Sequence, residues 1–513
     1  MKALAQLVRD EGLLDLDQAT LDRIKRHAPP VLGGAEAGIY RRSLYRAGDV
    51  LFCIARTAGD KALYAFGSSP ASTPFGDLEA TGVEGVNARR VAMTAAAGRH
   101  LWRLFPFTKP VSLREERTTI GMGDRLGVAS AGHIRAARKY RCYPVLAQQS
   151  LRELDYTGRS FADVVADASF AVFQEGYEEG FGADADHMKT IEAIDTALGE
   201  SMPMITLDLT EVLRPEAADW AEADLTAGYG ALDEGLRQRL EADYLDVDYE
   251  AGGTTLTLDR VELARCALLY GEALDFAEKV NNHLKQKTGD AYDLEISIDE
   301  TTTPTLPEHH LFIARELQVR GVTVNSLAPR FIGDFQKAID YIGDVDEFDR
   351  QFAVHCAVAN EFGGYKISVH SGSDKFAVYP SIGHHTGGRL HLKTSGTSWL
   401  EALRAVAGRN PELYRLIHRK TYEYYPEALK NYHITADVSN VRPLDEVPDE
   451  HLPSYLDDPN WRQFLHISYG GLLNDPELRE PFFRFLHENE EVYYELLEAH
   501  FDKHIGLLGI EKV

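Results

Sequence analysis

From residue 117 onward the chain falls into short runs in which apolar and polar positions alternate. In YKISVHS, residues 365–371, Tyr365, Ile367 and Val369 alternate with Lys366, Ser368 and His370. Seven more runs share this texture: TTIGMGDRLGVAS, YPVLAQQS, FGADADHMK, MPMITLDLTE, YDLEISIDE, GVTVNSLAP and GRLHLKTSG. A period of two marks a strand with two unlike faces. Most of the gaps between runs carry a period of 3.6 instead. The clearest is 258–288, where Leu263, Ala267, Tyr270, Leu274, Ala277 and Leu284 share one helical face. Gly289 is placed to end that helix, and Pro307 to open the next, HLFIARELQVRG. Eight strands alternating with helices predict an α/β protein built on a (β/α)8 TIM-like barrel over 113–410. A doubly wound open sheet would alternate in the same way.

Flanking regions read differently. Residues 1–112 predict an N-terminal α+β region. It opens on an amphipathic helix, and a small strand pair, DVLFCIAR and ALYAFG, is joined by TAGDK. An acidic helical insertion is expected near 211–257. Residues 411–513, rich in aromatics (LYRLIHRKTYEYYPEAL), predict a C-terminal helical extension.

In a barrel, one face of each strand meets the surrounding helices and must be apolar. The other faces the lumen and turns polar toward the C-terminal strand ends, where active sites of this fold lie. The runs obey this rule. Ile205, Leu207 and Leu209 oppose Thr206 and Asp208; Leu294, Ile296 and Ile298 oppose Glu295, Ser297 and Asp299. Leu390 and Leu392 oppose Arg389, His391 and Lys393. FGADADHMK is less regular but crowds Asp184, Asp186, His187 and Lys189 together. Burying so many charged groups without a use would be costly, so the pattern points to a catalytic cavity. Histidines and carboxylates converging from separate strands suit a divalent metal such as Zn, Mn, Co, Ni or Fe. His187, His370 and His391 are the candidate ligands. A solvated polar face on an edge strand is the bland alternative for any one run.

Composition narrows the field. The 54 basic and 80 acidic residues leave a net charge of −26, which argues against nucleic acid or anionic lipid as partner. An anionic substrate would need local Lys or Arg to overcome that field. The four cysteines are widely spaced with no CxxC pair, as in a reducing compartment. With no run of about 18 apolar residues and no signal-like N-terminus, a cytoplasmic, membrane-free protein is expected. GMGDRLG lacks GxGxxG spacing, HSGSDK is not a Walker loop, and no GxSxG elbow occurs. Gly372 reads as a tight turn that also lets backbone approach a ligand. Paired barrel carboxylates also make glycoside hydrolases, with Asp208 and Glu295 as the candidate pair. A non-catalytic sugar-binding protein fits the acid–base-rich lumen less well.

SVHSGSDKFAVYP followed by GGRLHLKTSGTSWLEALR resembles the tagaturonate epimerase family. FGADADHMKT, GMGDRLGVAS, LAQQSLREL, ISIDETTTPT and SLAPRF extend the likeness over roughly 117–410, and more loosely to the C-terminus. The resemblance implies an isomerase: a metal-dependent epimerase interconverting D-tagaturonate and D-fructuronate in hexuronate catabolism. Some relatives act on neutral tagatose and fructose. It implies Asp186 as proton-abstracting base, His187 beside it on the metal and His370 as second ligand. A carboxylate around ISIDE would be the opposing acid; Glu295 is chosen because it faces the lumen. Strand parity suggests His391 as third ligand. The two sugars differ at a carbon not adjacent to the ketone, so enolisation cannot invert it. Retro-aldol cleavage and re-addition can, with a metal as Lewis acid and two acid/base groups. Transient oxidation by NAD is the other route, and the dinucleotide fingerprint is missing. Lys375, Arg330 or Lys393 would pair with the substrate carboxylate, and Ser371 and Asp374 with its hydroxyls. The partner is therefore a small sugar acid; whether the chain forms a homo-oligomer stays open.

Overall fold

Eight parallel strands close in chain order: β1 (Thr118–Gly121), β2 (Tyr143–Ser150), β3 (Gly182–Met188), β4 (Met204–Asp208), β5 (Asp293–Ser297), β6 (Ser326–Ala328), β7 (Lys366–Val369) and β8 (Leu390–Lys393). The last strand returns to the first, pairing Thr118 with Leu390 through Gly121 with Lys393. Each of the eight alternating runs supplies one strand. The computed structural model describes every residue except Ala35, Ala58, Gly59, Glu300, Thr302 and Ser395, and the side chain of Asn440.

The alternation places the core where burial of apolar surface dictates. Ile205, Leu207, Leu294, Ile296, Ile367, Val369, Leu390 and Leu392 are at most 2 % exposed and pack against the helical shell. Between β4 and β5 lie the helices Glu222–Gly230 and Glu234–Tyr244, then Arg260–Thr288, closed by Gly289 at φ +62°. The insertion also holds a hairpin, Asp248–Ala251 with Thr254–Thr257, that the helical expectation omitted. Its turn is Gly252-Gly253, both at positive φ, which is the backbone a two-residue hairpin needs.

The N-terminal region is larger than a strand pair. Seven antiparallel strands form one sheet, built around Val50–Thr57 and Asp60–Gly67. Within the predicted TAGDK connection, Ala58 and Gly59 lie outside the described residues. Phe52, Phe105, Phe170 and Phe173 join this sheet to the helix Phe161–Glu175 on the barrel's outer surface. C-terminal helices Pro411–Ala428, Pro459–Ile467 and Glu490–Leu507 build a second core with Trp399, Trp461 and Phe464. Glu490 clasps the two ends of the chain: it accepts from Arg56 and Lys61, each at 3.0 Å, and from Tyr40. All four cysteines are free and buried. Among the described residues no helix is long and apolar enough to cross a membrane.

Candidate active site

A single bulge organises the site. β3 pairs with β4 through Asp184 and Ala185, then skips two residues before Met188 resumes opposite Leu207. The skipped residues are Asp186 and His187, and His187 sits at φ +57°. A bulge re-aims side chains that strict alternation would send to opposite faces. Both residues therefore reach the C-terminal mouth of the barrel, which explains the irregular reading of FGADADHMK.

Lys393, at the end of β8, is the electrostatic centre. Its Nζ lies 2.5 Å from Asp186 Oδ1, 2.9 Å from Asp184 Oδ2 and 2.9 Å from Glu295 Oε1. Burial opposes its charge, but the three carboxylates hold the ammonium protonated, well above its ordinary range. Burial would likewise raise Asp186; Lys393, then His187 and His370, instead hold it far below the carboxylate range. Burial prevails at Asp184, which rises to about 6. Thr206 Oγ1 donates at 2.9 Å to Asp184, and Ser326 Oγ at 2.5 Å to Glu295.

The imidazoles of His187 and His370 stand edge to face with centroids 5.3 Å apart. His187 Nδ1 meets Asp208 Oδ2 at 3.3 Å. His370 bridges Asp299 Oδ1, 3.0 Å from its Nδ1, and Glu295 Oε1, 2.7 Å from its Nε2. Burial would lower His370, but Asp299 and then Glu295 raise it to about 10. Donor atoms of His187, Asp299 and His370 all lie within 4.8 Å of one another. Two imidazoles and one carboxylate fit a divalent transition metal. Asp208 stands where an outer carboxylate orients a metal-binding imidazole.

The other sequence candidates fall in different places. His391 is not in this cluster: its register partner is Ser368, one layer below His370, and its Nδ1 meets Thr119 Oγ1 at 2.9 Å. Lys375 donates to three backbone carbonyls, those of Gln336 (2.8 Å), Ile339 (2.6 Å) and Ser373 (2.9 Å), so its ammonium is occupied away from the cavity. Asp374 is tied to Arg462 at 2.7 Å, and its own N–H donates to His504. Gly372 approaches β8 rather than the cavity: its N–H donates to the Lys393 carbonyl at 3.0 Å. Ser371 and Lys393 do line the cavity, and Arg330 lines the mouth above it. Asp208, half of the glycosidase pair, is engaged by His187 and Thr210. Glu300 lies outside the described residues. Sequence reasoning missed Asp299 as a ligand, although its parity with Glu295 was visible. It also missed Lys337, which comes from a stretch without regular alternation.

A closed barrel whose strand ends bring ionised carboxylates, a shared ammonium and two imidazoles to one cavity defines a (β/α)8 enzyme built for acid–base chemistry on a small polar molecule. The chain belongs to the tagaturonate epimerase family, whose sequence model matches residues 40–508, and it is an epimerase. A tagaturonate/fructuronate epimerase of Thermotoga maritima is 43% identical over 409 residues, 80% of this chain and 84% of the relative. A glycerol-complexed crystal structure of a fructuronate-tagaturonate epimerase from Cohnella laeviribosi superposes with a TM-score of 0.87 at 43% identity, covering 96% of this chain and 99% of that one. The native crystal structure of the same enzyme gives 0.87 at 42% identity, over the same shares of the two chains. Family membership sets the glycoside hydrolase and the non-catalytic binding protein aside.

Proposed function

We propose that this epimerase interconverts D-tagaturonate and D-fructuronate by retro-aldol chemistry assisted by a divalent cation held by His187, Asp299 and His370. The observation that carries this reading is the meeting of those three donors beside Asp186. A cation there would supply a Lewis acid to the ketone end of the sugar. Asp186 Oδ1 takes the hydroxyl proton from the carbon to be inverted. The C–C bond on its ketone side breaks, its electrons pass into an enediolate, and the released fragment is an aldehyde. Rotation presents the aldehyde's other face, and the bond re-forms. The new alkoxide takes a proton from Lys393 Nζ, which Glu295 holds at 2.9 Å; Glu295 thus acts as the opposing acid through that ammonium. Asp186, 2.5 Å from the same nitrogen, returns its proton there and resets the pair.

Enzyme stripped with chelator and then resupplied with Mn or Zn is incubated with each uronate, and the sugars are resolved by chromatography. Lost and regained interconversion is the expected result; full activity after exhaustive chelation would overturn the metal assignment. An aldehyde scavenger should trap the released fragment. A tightly bound nicotinamide in the purified enzyme would refute the retro-aldol route.

A further inference from the structure

We propose that Lys337 is the residue that binds the substrate's carboxylate, an assignment that rests on the uronate reading above. The cations around the cavity differ in what already holds them. Lys393 is shared by three carboxylates, Lys375 by three carbonyls, and Lys189 lies 3.7 Å from Asp208 and 3.2 Å from Glu211. Lys337 donates only to a neutral group, Ser371 Oγ at 2.7 Å; among the described residues no carboxylate oxygen lies within 4.0 Å of its ammonium. A half-buried ammonium with no counter-ion is a receptive partner for an arriving carboxylate, because charge-assisted bonds are the strong ones.

Its position suits that task. Lys337 lines the inner cavity with Asp186, Asp299 and His370, and also the 250 Å³ mouth with Arg152 and Arg330. A hexuronate carries its ketone near one end of the carbon chain and its carboxylate at the other. With the ketone end at His187, Asp299 and His370, the carboxylate end extends toward the mouth, where Lys337 stands. Ser371, held at φ +48°, points its hydroxyl to the same place and offers the carboxylate a second donor. Arg152 and Arg330 add positive charge at the rim of a chain whose net charge is −26, giving the local attraction an anionic substrate requires.

The test compares the metal-loaded parent with Lys337→Met and Lys337→Arg. For each, kcat/KM is measured with tagaturonate and with the neutral ketohexose tagatose, which lacks the carboxylate. Where ketohexose turnover is too slow, its inhibition constant against the uronate replaces it. In Lys337→Met the ratio of uronate to ketohexose efficiency should fall at least 30-fold, mainly through KM for the uronate, and Lys337→Arg should recover part of it. An equal loss on both sugars, or an unchanged ratio, overturns the assignment. A parent inactive on both uronates would instead defeat the substrate reading, so the two failures are separable.

Discussion

Replacing Lys375 with Met distinguishes a structural ammonium from a substrate-binding one. In the structure Lys375 is fully buried and donates to the carbonyls of Gln336, Ile339 and Ser373, at 2.8, 2.6 and 2.9 Å. It fastens the connection after β6, which carries Arg330 and Lys337, to the turn after β7. A bond from a charged donor contributes about 1.5–3 kcal/mol net, and the desolvation of the ammonium offsets part of the three, leaving an expected loss of about 3–5 kcal/mol at pH 7. Burial also drags the Lys375 pKa down to about 7. The unfolded chain keeps that proton until about pH 10.4, so between the two values the unfolded state binds more protons and parent stability rises with pH, by up to about 1.4 kcal/mol per unit. Met has no such proton. The gap between parent and Lys375→Met should therefore widen from pH 7 to pH 9. Thermal unfolding followed by circular dichroism at both pH values checks the sign. A variant as stable as the parent, with only the uronate KM raised, would refute the structural role and return Lys375 to the substrate.

Three further outcomes are expected. Asp299→Ala should lose bound divalent metal after gel filtration while His391→Ala retains it, both measured by mass spectrometry of the metal content. Asp186→Asn should lower kcat by about 10²–10⁴, as loss of a general base does, with little change in KM, in the chromatographic epimerase assay. Gly121→Ala should destabilise the barrel by about 1–3 kcal/mol in a urea melt, because overpacking a filled lumen forces neighbours to move; a β-carbon there would come 2.0 Å from Gln148 Oε1, a side chain that lines the cavity.

The barrel was legible because each strand separates two media, and that demand is written residue by residue. The boundaries of the long helix were legible because Asp259, which caps its start, and Gly289, which ends it, are local signals. The seven-stranded N-terminal sheet was not: segments such as Ala37–Tyr40 are too short to show a period. At the site, parity put Asp186, His370, Glu295 and Lys393 into the lumen, and the structure brings them together. Parity gives the face of a strand but not the height of a residue along the barrel axis. Height depends on register between strands, which is why His391 lies a layer below His370 while Asp299 stands beside it. The bulge in β3 hid the relation of Asp186 to His187. The partners of Lys375 and Lys337 lie in an irregular connection and a turn, where no repeating pattern exists to be read.

That irregularity in β3 binds two capacities into one short piece of backbone. A deletion at either position would let the ladder run true and leave room for only one of the two side chains at the rim. Variation in this strand must accordingly change both partners together or neither, and a designer grafting proton transfer without cation capture onto such a scaffold would have to begin by straightening it.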